Sequence, residues 1–389
     1  MNKKFFGNRL ITISALILVV FGSIMIVSAE MGNSVGANDY LISEAIKQGL
    51  FALVGIGIYF LFMNVRIYKV SIVFFWCAYI VILFLLIACR FFGEINGAYA
   101  WIPIGGIASI QPSEFAKTFL IIFGAKLFGV DRHDNNSDSF YKFIACAGLY
   151  LIIIFAIQND LGSAVVLALI CFCICFIPPY KELKKIQKGL FICILAGIGV
   201  VLLILTPIGT KIISKLLSGY KAARFLVAAD PFAYRYDNGY HIVMSLVSFA
   251  NGNIFGLGYG NSIHKYMNFP NPSNDFILPV IVEELGIIGF IGLVILYACL
   301  LLPIARASIN SKYISSKLIL IGTFVYFVSH IILNVGGVSG FIPLTGVPLL
   351  LISSGGSSLV ASMAALGLSQ NEIKRNYKEE FHESNSGQI

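Results

Sequence analysis

The chain has 389 residues, 58% of them hydrophobic and only 12% charged, with a formal net charge of +8. That balance excludes a soluble globular domain, in which charged residues are about twice as frequent. It predicts an all-α polytopic membrane protein, built as one domain over residues 1–389.

Taken in chain order, apolar runs fall at about 10–29, 46–63, 70–89, 115–130, 141–157, 161–177, 189–206, 276–303, 317–338 and 347–369. They predict about ten transmembrane helices. The first run follows Lys3, Lys4 and Arg9, and its apolar core of about 18 residues is longer than that of a cleavable signal. An uncleaved span is therefore expected. The run at 115–130 is the weakest, being short and charged at Glu114, Lys117 and Lys126. All eight cysteines sit in or at the ends of apolar runs. Cys171, Cys173 and Cys175 resemble a metal cluster at first sight, but on a helix Cys173 points away from the other two. Packing is the better reading.

Lys and Arg cluster in the segments that face the cytoplasm if the N-terminus is inside: Arg66 and Lys69, Lys181 to Lys188, Arg306 and Lys312, Lys374 to Lys378. Both termini are then cytoplasmic. The one long polar excursion, residues 207–275 between spans 7 and 8, is extracellular with a net charge of +3. Such a surface suits an anionic substrate or lipid headgroup. Within it, Ile212–Ala229 and His241–Ala250 read as amphipathic helices lying on the membrane or the bundle.

Five motifs carry polar chemistry. Gln111-Pro-Ser-Glu-Phe-Ala-Lys117 opens a span, with Ser113 as expected N-cap; Glu114 and Lys117 can pair at i,i+3, or face substrate. Gln158-Asn-Asp-Leu-Gly162 is an outer turn in which Asp160 caps the next helix. Gly256-Leu-Gly-Tyr-Gly-Asn-Ser262 lacks the ending of a nucleotide-binding loop but leaves open a backbone turn beside a pyrophosphate, with Ser262 and Lys265 close behind. Asp275 stands where the outer loop enters the membrane; Pro279 should leave its carbonyl without a helical partner, and burial and the helix dipole pull its pKa in opposite directions. Glu283-Glu284 lies two turns deeper, where adjacent acids need a cavity or a cation.

These motifs, with Asp230-Pro231-Phe232, Asn274-Asp275-Phe-Ile277, Glu283-Glu284-Leu-Gly286 and Thr345-Gly-Val-Pro…Ser354-Gly-Gly-Ser-Ser358, resemble the SEDS family (shape, elongation, division and sporulation proteins) in order along nearly the whole chain. The loop is more similar to the FtsW and SpoVE branch than to RodA. Departures occur at Ala100, where the family usually has Arg before the Trp, at Met244, at Asn271, and in Leu350-Leu-Ile-Ser-Ser-Gly-Gly356.

The resemblance implies a glycosyltransferase in the cell membrane that polymerises peptidoglycan glycan strands from lipid II, beside a class B penicillin-binding transpeptidase. No nucleic-acid partner is expected. It implies an inverting displacement of undecaprenyl pyrophosphate with one base, for which Asp275 is the candidate. Lys221, Arg224 and Lys265 are candidates to neutralise the leaving group, and a divalent cation (Mg or Mn) could share that task. Two rivals stay open. A lipid II flippase would line a path with Glu114, Lys117, Asp160 and Glu283. A catalytically weakened scaffold would mainly recruit the transpeptidase.

Overall fold

The computed structural model describes residues 8–32, 38–95, 97–105, 108–129, 136–178, 184–204, 206, 209, 220–267 and 272–386. Each of the ten apolar runs falls wholly or partly on a helix. These are α1 (Arg9–Glu30), α2 (Asn38–Phe62), α3 (Ile72–Ala88), α4 (Pro112–Phe128), α5 (Asn136–Ile152), α6 (Leu161–Phe176) and α7 (Lys184–Ile204), then α10 (Ile277–Asn310), α11 (Ile314–Val338) and α12 (Gly356–Ser386). Six of them, α1, α2, α3, α5, α10 and α11, are long and apolar enough to cross a membrane by length and composition. Between α7 and α10 lie two shorter helices, α8 (Tyr220–Ala229) and α9 (Tyr240–Gly252). The expected helix start at Ile212 lies outside the described residues, while α9 packs along α10 rather than lying free on the bilayer surface.

Aromatic side chains hold one side of the bundle together. Tyr79 of α3 stacks on Tyr150 of α5 at 4.7 Å, and each hydroxyl donates to a carbonyl on the other helix. The start of α1 meets α12 at one pole. The amide of Asn8 donates to Gln370 Oε1 at 2.9 Å, and Gln370 Nε2 donates back to the Asn8 carbonyl at 2.6 Å.

Three features depart from the sequence reading. First, the segment expected to be helical from 347 is irregular to 355, and α12 starts only at Gly356. Leu351 has φ +69, and Ser353 Oγ accepts from the Leu349 amide at 2.8 Å, so this buried loop satisfies its own backbone. Second, a short antiparallel hairpin, β1 (Ile102–Ile104) with β2 (Ala108–Ile110), precedes α4. Third, α10 is broken at Gly286, whose φ of 68° and ψ of −167° no other residue adopts cheaply.

The break explains the glycine-rich loop. A helix interrupted within a membrane must find new partners for its freed backbone groups. The amides of Leu257 and Gly258 donate to the carbonyls of Glu283 and Glu284, each at 2.9 Å. In return the amides of Ile287 and Ile288 donate to Asn253 and Ile254 at 3.0 and 3.2 Å. A Cβ on Gly256 or Gly286 would collide with backbone on the opposite side. Gly256–Ser262 is thus a splint across the broken helix. Its amides at 257 and 258 are already used, which removes the basis for reading it as a pyrophosphate turn.

Candidate active site

At the pole opposite the Asn8–Gln370 contact a cavity of about 750 Å³ opens between the hairpin, α2, α8 and the loop before α12. Four helices begin at its wall. Gln111 is the N-cap of α4, Asp160 that of α6, Asn274 and Asp275 lead into α10, and Ser354 to Ser358 form the start of α12; all of them line the cavity. A helix N-terminus carries unpaired amides and a positive partial charge. Four of them around one space favour an anion there.

Local bonds fix these ends to one another. Asp160 Oδ1 accepts from the Ser163 amide at 2.9 Å, the cap expected from the sequence, and Oδ2 accepts from Gln111 Nε2 at 3.1 Å. The Gln111 amide donates to Ser357 Oγ at 3.0 Å. Ser113 is not the cap of α4, because the helix begins one residue earlier at Pro112; its hydroxyl instead meets Ser163 Oγ at 3.3 Å. A π-turn at Ile153–Ile157, followed by Asn159 at φ +59, swings the Asp160 turn into the cavity wall.

Asp275 is half-buried and is not spent on the helix. The N-cap of α10 is Phe276, without a side-chain bond, so the carbonyl of Asp275 lies outside the helical ladder altogether. Asn334 Nδ2 from α11 takes that carbonyl at 2.9 Å and the Val347 carbonyl at 2.9 Å. Gly346, at φ +71, packs close to the carboxylate. Burial pushes the Asp275 carboxyl up to about 6; Arg224 pulls it down and Asp160 raises it further. Burial therefore wins the competition foreseen from the sequence.

The structure brings together Asp275, Asp160 and Arg224, and separates the other candidates. Glu114 and Lys117 do pair, at 2.6 Å, fully buried inside the bundle. Tyr326 donates to Glu114 Oε2 at 2.8 Å, and Lys117 Nζ lies 3.3 Å from His330 Nε2. Because His330 Nδ1 sits 2.9 Å from the carbonyl of Pro348, Nδ1 carries the proton and Nε2 accepts from the ammonium. Pro348 lines the cavity, so this network props the floor from beneath.

Ser262, Lys265 and Glu283 form a different, sealed cluster. Ser262 Oγ donates to Glu283 Oε2 at 2.5 Å, His264 Nδ1 lies 2.6 Å from Oε1, and Lys265 Nζ donates to Glu284 Oε1 at 2.8 Å and to Ser28 at 3.2 Å. All are buried and none lines the cavity. Lys221 belongs to α8, but its side chain lies outside the described residues.

Sequence reasoning missed Lys47, Trp101 and the serines of 354–358 as cavity residues. The serine run was visible only as part of a motif; Lys47 is a lone cation on α2 with no motif around it. Among the described residues no group of three His, Cys, Asp or Glu side chains could hold a metal ion. The cavity offers a divalent cation two carboxylates, and both oxygens of Asp160 are already engaged. That is a poor fit, and no chemical step is assigned to a metal.

Comparison with known proteins places this geometry. A family model described as “Cell cycle protein” and covering FtsW, RodA and SpoVE matches residues 8–378. The chain is 32% identical to a “Probable peptidoglycan glycosyltransferase FtsW” of Bacillus subtilis, over 92% of its length and 88% of the relative's. It is 30% identical to the same organism's “Stage V sporulation protein E”, over 94% and 97%. Among solved structures, a chain from “Structural coordination of polymerization and crosslinking by a peptidoglycan synthase complex” superposes with a TM-score of 0.69 at 23% identity, covering 96% of this chain and 99% of that one. Thermus thermophilus RodA superposes with a TM-score of 0.58 at 23% identity, covering 94% and 96%.

Proposed function

Because the chain belongs to the FtsW, RodA and SpoVE family, we propose that it is a multi-pass membrane peptidoglycan glycosyltransferase whose active site is the cavity around Asp275. It joins lipid-linked disaccharide units and releases undecaprenyl pyrophosphate, in cell division or sporulation. The observation that carries this reading is the state of Asp275: a half-buried carboxylate with a raised pKa, held by its carbonyl rather than its side chain, in a cavity bordered by four helix N-termini.

The chemistry follows from that arrangement. The acceptor sugar hydroxyl gives its proton to the Asp275 carboxylate as its oxygen attacks the anomeric carbon of the donor. The bond to the donor's pyrophosphate breaks on the opposite face, giving inversion. A leaving pyrophosphate needs charge neutralisation rather than a proton, and Arg224 with the helix N-termini supplies it. A base with pKa about 6 is largely ionised at neutral pH yet strong enough to take a proton in the transition state. Lys117 and Glu114 act through the cavity floor.

With the positive-inside orientation the termini face the cytoplasm and the cavity opens to the exterior, where lipid II is polymerised. The partner is a single-span class B penicillin-binding protein, a reading supported by the likeness to a chain from a peptidoglycan synthase complex. Purified protein, with and without that transpeptidase, should convert lipid II into glycan strands. Transbilayer movement of lipid II without polymer would establish the flippase instead, and partner binding without either would establish a scaffold.

A further inference from the structure

Asp275 sits in a stretch of backbone that is tethered at two points. Two residues before it, the Ser273 carbonyl accepts from the Ser354 amide at 2.8 Å. At Asp275 itself the tether is a side chain: Asn334 Nδ2 donates to the Asp275 carbonyl and to the Val347 carbonyl, each at 2.9 Å. Asn334 is buried and does not line the cavity. Two carbonyls on one amide nitrogen fix which way the amide points, and its own oxygen is left buried without a partner among the described residues. An unpaired buried acceptor is costly, and here that cost is the condition for both donors reaching carbonyls. One turn earlier on the same face of α11, His330 Nδ1 holds the next carbonyl, that of Pro348, at 2.9 Å. The turn so held includes Gly346, which lines the cavity at φ +71 and on which a Cβ would lie 3.4 Å from Asp275 Oδ2. The base and the turn that faces it are thus both fixed to one helix.

We infer that Asn334 is a positioning residue for the base: it touches no substrate, and it sets where the Asp275 carboxylate stands by tying the backbone of Asp275 to the 345–348 turn. This inference rests on the glycosyltransferase reading above. The effect is confined to the base because the backbone on either side is held by other means, Ser273 by the Ser354 amide and α10 from Ile277 onward by its own helical ladder. Loss of the Asn334 amide therefore frees Asp275 within a loop that stays anchored. A carboxylate so freed meets more water, and burial is the main cause of its raised pKa. The charged groups that act on it, Arg224 from α8 and Asp160 at the start of α6, are not touched by the change.

The test uses the full-length protein in nanodiscs with lipid II as the probe. Asn334→Ala should lower kcat for polymerisation at least about tenfold, since a misplacement of about 1 Å can cost about 10²-fold, while KM for lipid II stays unchanged. Its acid limb should lie at lower pH than the wild-type limb, which is centred at about 6. Asn334→Ser keeps one donor and should lose less; it carries the same test if the alanine variant is not recovered from membranes. In the Asp275→Asn background, Asn334→Ala should lower the residual rate no further, because a residue that acts only through the base then has nothing to position. A wild-type kcat and limb in Asn334→Ala overturn the inference. So does a further loss in the Asp275→Asn background as large as that in wild type, which would make Asn334 a support of the fold alone. A raised KM at unchanged kcat also overturns it, since Asn334 would then shape the binding site. Wild-type polymerisation by Asp275→Asn is a separate result, which removes the base and with it the reading on which the inference rests.

Discussion

Two acidic regions lie within three turns of each other at the start of α10, and they behave differently. Glu283 and Glu284 are fully buried, and each is surrounded by donors: Ser262, His264 and Asn251 on the first, Lys265 and Ser28 on the second. Asp275 and Asp160 border open space, and only Asp160 is committed, to a helix cap and to Gln111. Burial raises a carboxylate's pKa, whereas donors and cations lower it. A buried acid that has found its partners is therefore structural glue. One that is partly buried, with its hydrogen-bonding capacity unspent, is available as a base. Acids a few turns apart thus differ in whether their neighbours have used up their hydrogen-bonding capacity.

The largest effects should come from breaking the sealed region. Lys265→Met leaves Glu284 buried without its cation, a change that typically costs about 3–5 kcal/mol. Protein recovered from membranes and its melting temperature should both fall sharply. Lys265→Met combined with Glu284→Gln should recover much of the loss, since no uncompensated charge remains. The Glu114–Lys117 pair should follow the same rule: Lys117→Ala should be harmful, and Glu114→Gln with Lys117→Met should restore protein levels better than either single change. Additive losses in either cycle would mean that the paired residues are not coupled.

Asp275→Asn should do the opposite, leaving the fold intact and removing activity. A lost general base costs about 10²-fold or more in polymerisation rate. Stability should not suffer. The carboxyl titrates at about 6 in the folded protein against 3.8 for the unperturbed group, so its charged form is disfavoured by folding. The resulting cost is absent below the lower value and fully present above the higher one, which means stability declines as pH rises between them. At neutral pH the amide variant escapes that cost and should melt at the same temperature as wild type or slightly higher. A variant that is both inactive and poorly folded would move Asp275 into the sealed class.

The sequence carried the helices and pointed to Asp275 as the candidate base, because hydrophobic runs and the polar residues beside them are local signals. It could not carry the sorting of the acids. Ser262, Lys265 and Glu283 looked like substrate contacts since each is a polar residue near the outer loop. Only the break at Gly286, which draws residues 253–258 across α10, shows that they fold inward. Lys47 was overlooked for the converse reason: a lone cation on α2 gives no hint that residues 354–358, about three hundred positions later, complete its surroundings. The hairpin at 102–110 was equally hidden, since three-residue strands are too short for alternation to register.

A smaller effect concerns the rate itself. If Asp275 is the base, polymerisation should rise with pH along a single-proton limb centred near 6, where the acid loses its proton. Rates measured at saturating lipid II across that range, with protein integrity checked at each pH, would show the limb. A flat profile would mean that Asp275 does not titrate in the rate-limiting step.

The smallest change, Asp160→Asn, tests the coupling between the two cavity acids. Asparagine caps a helix about as well as aspartate, so the bond from the Ser163 amide should survive and α6 should begin where it does now. The second contact also has a remedy. Gln111 now donates Nε2 to Asp160, and turning its amide over would present an oxygen to the new side-chain amide. What is lost is a negative charge that raises the Asp275 pKa, and Arg224 still pulls that pKa down. The acid limb should therefore move to lower pH, by less than about one unit for a charge partly open to solvent. The plateau rate should change little, because a slightly weaker base is offset by its fuller ionisation. A plateau that collapsed about as far as in Asp275→Asn would show that Asp160 touches the substrate, and the base would have to be sought in the pair rather than in Asp275 alone.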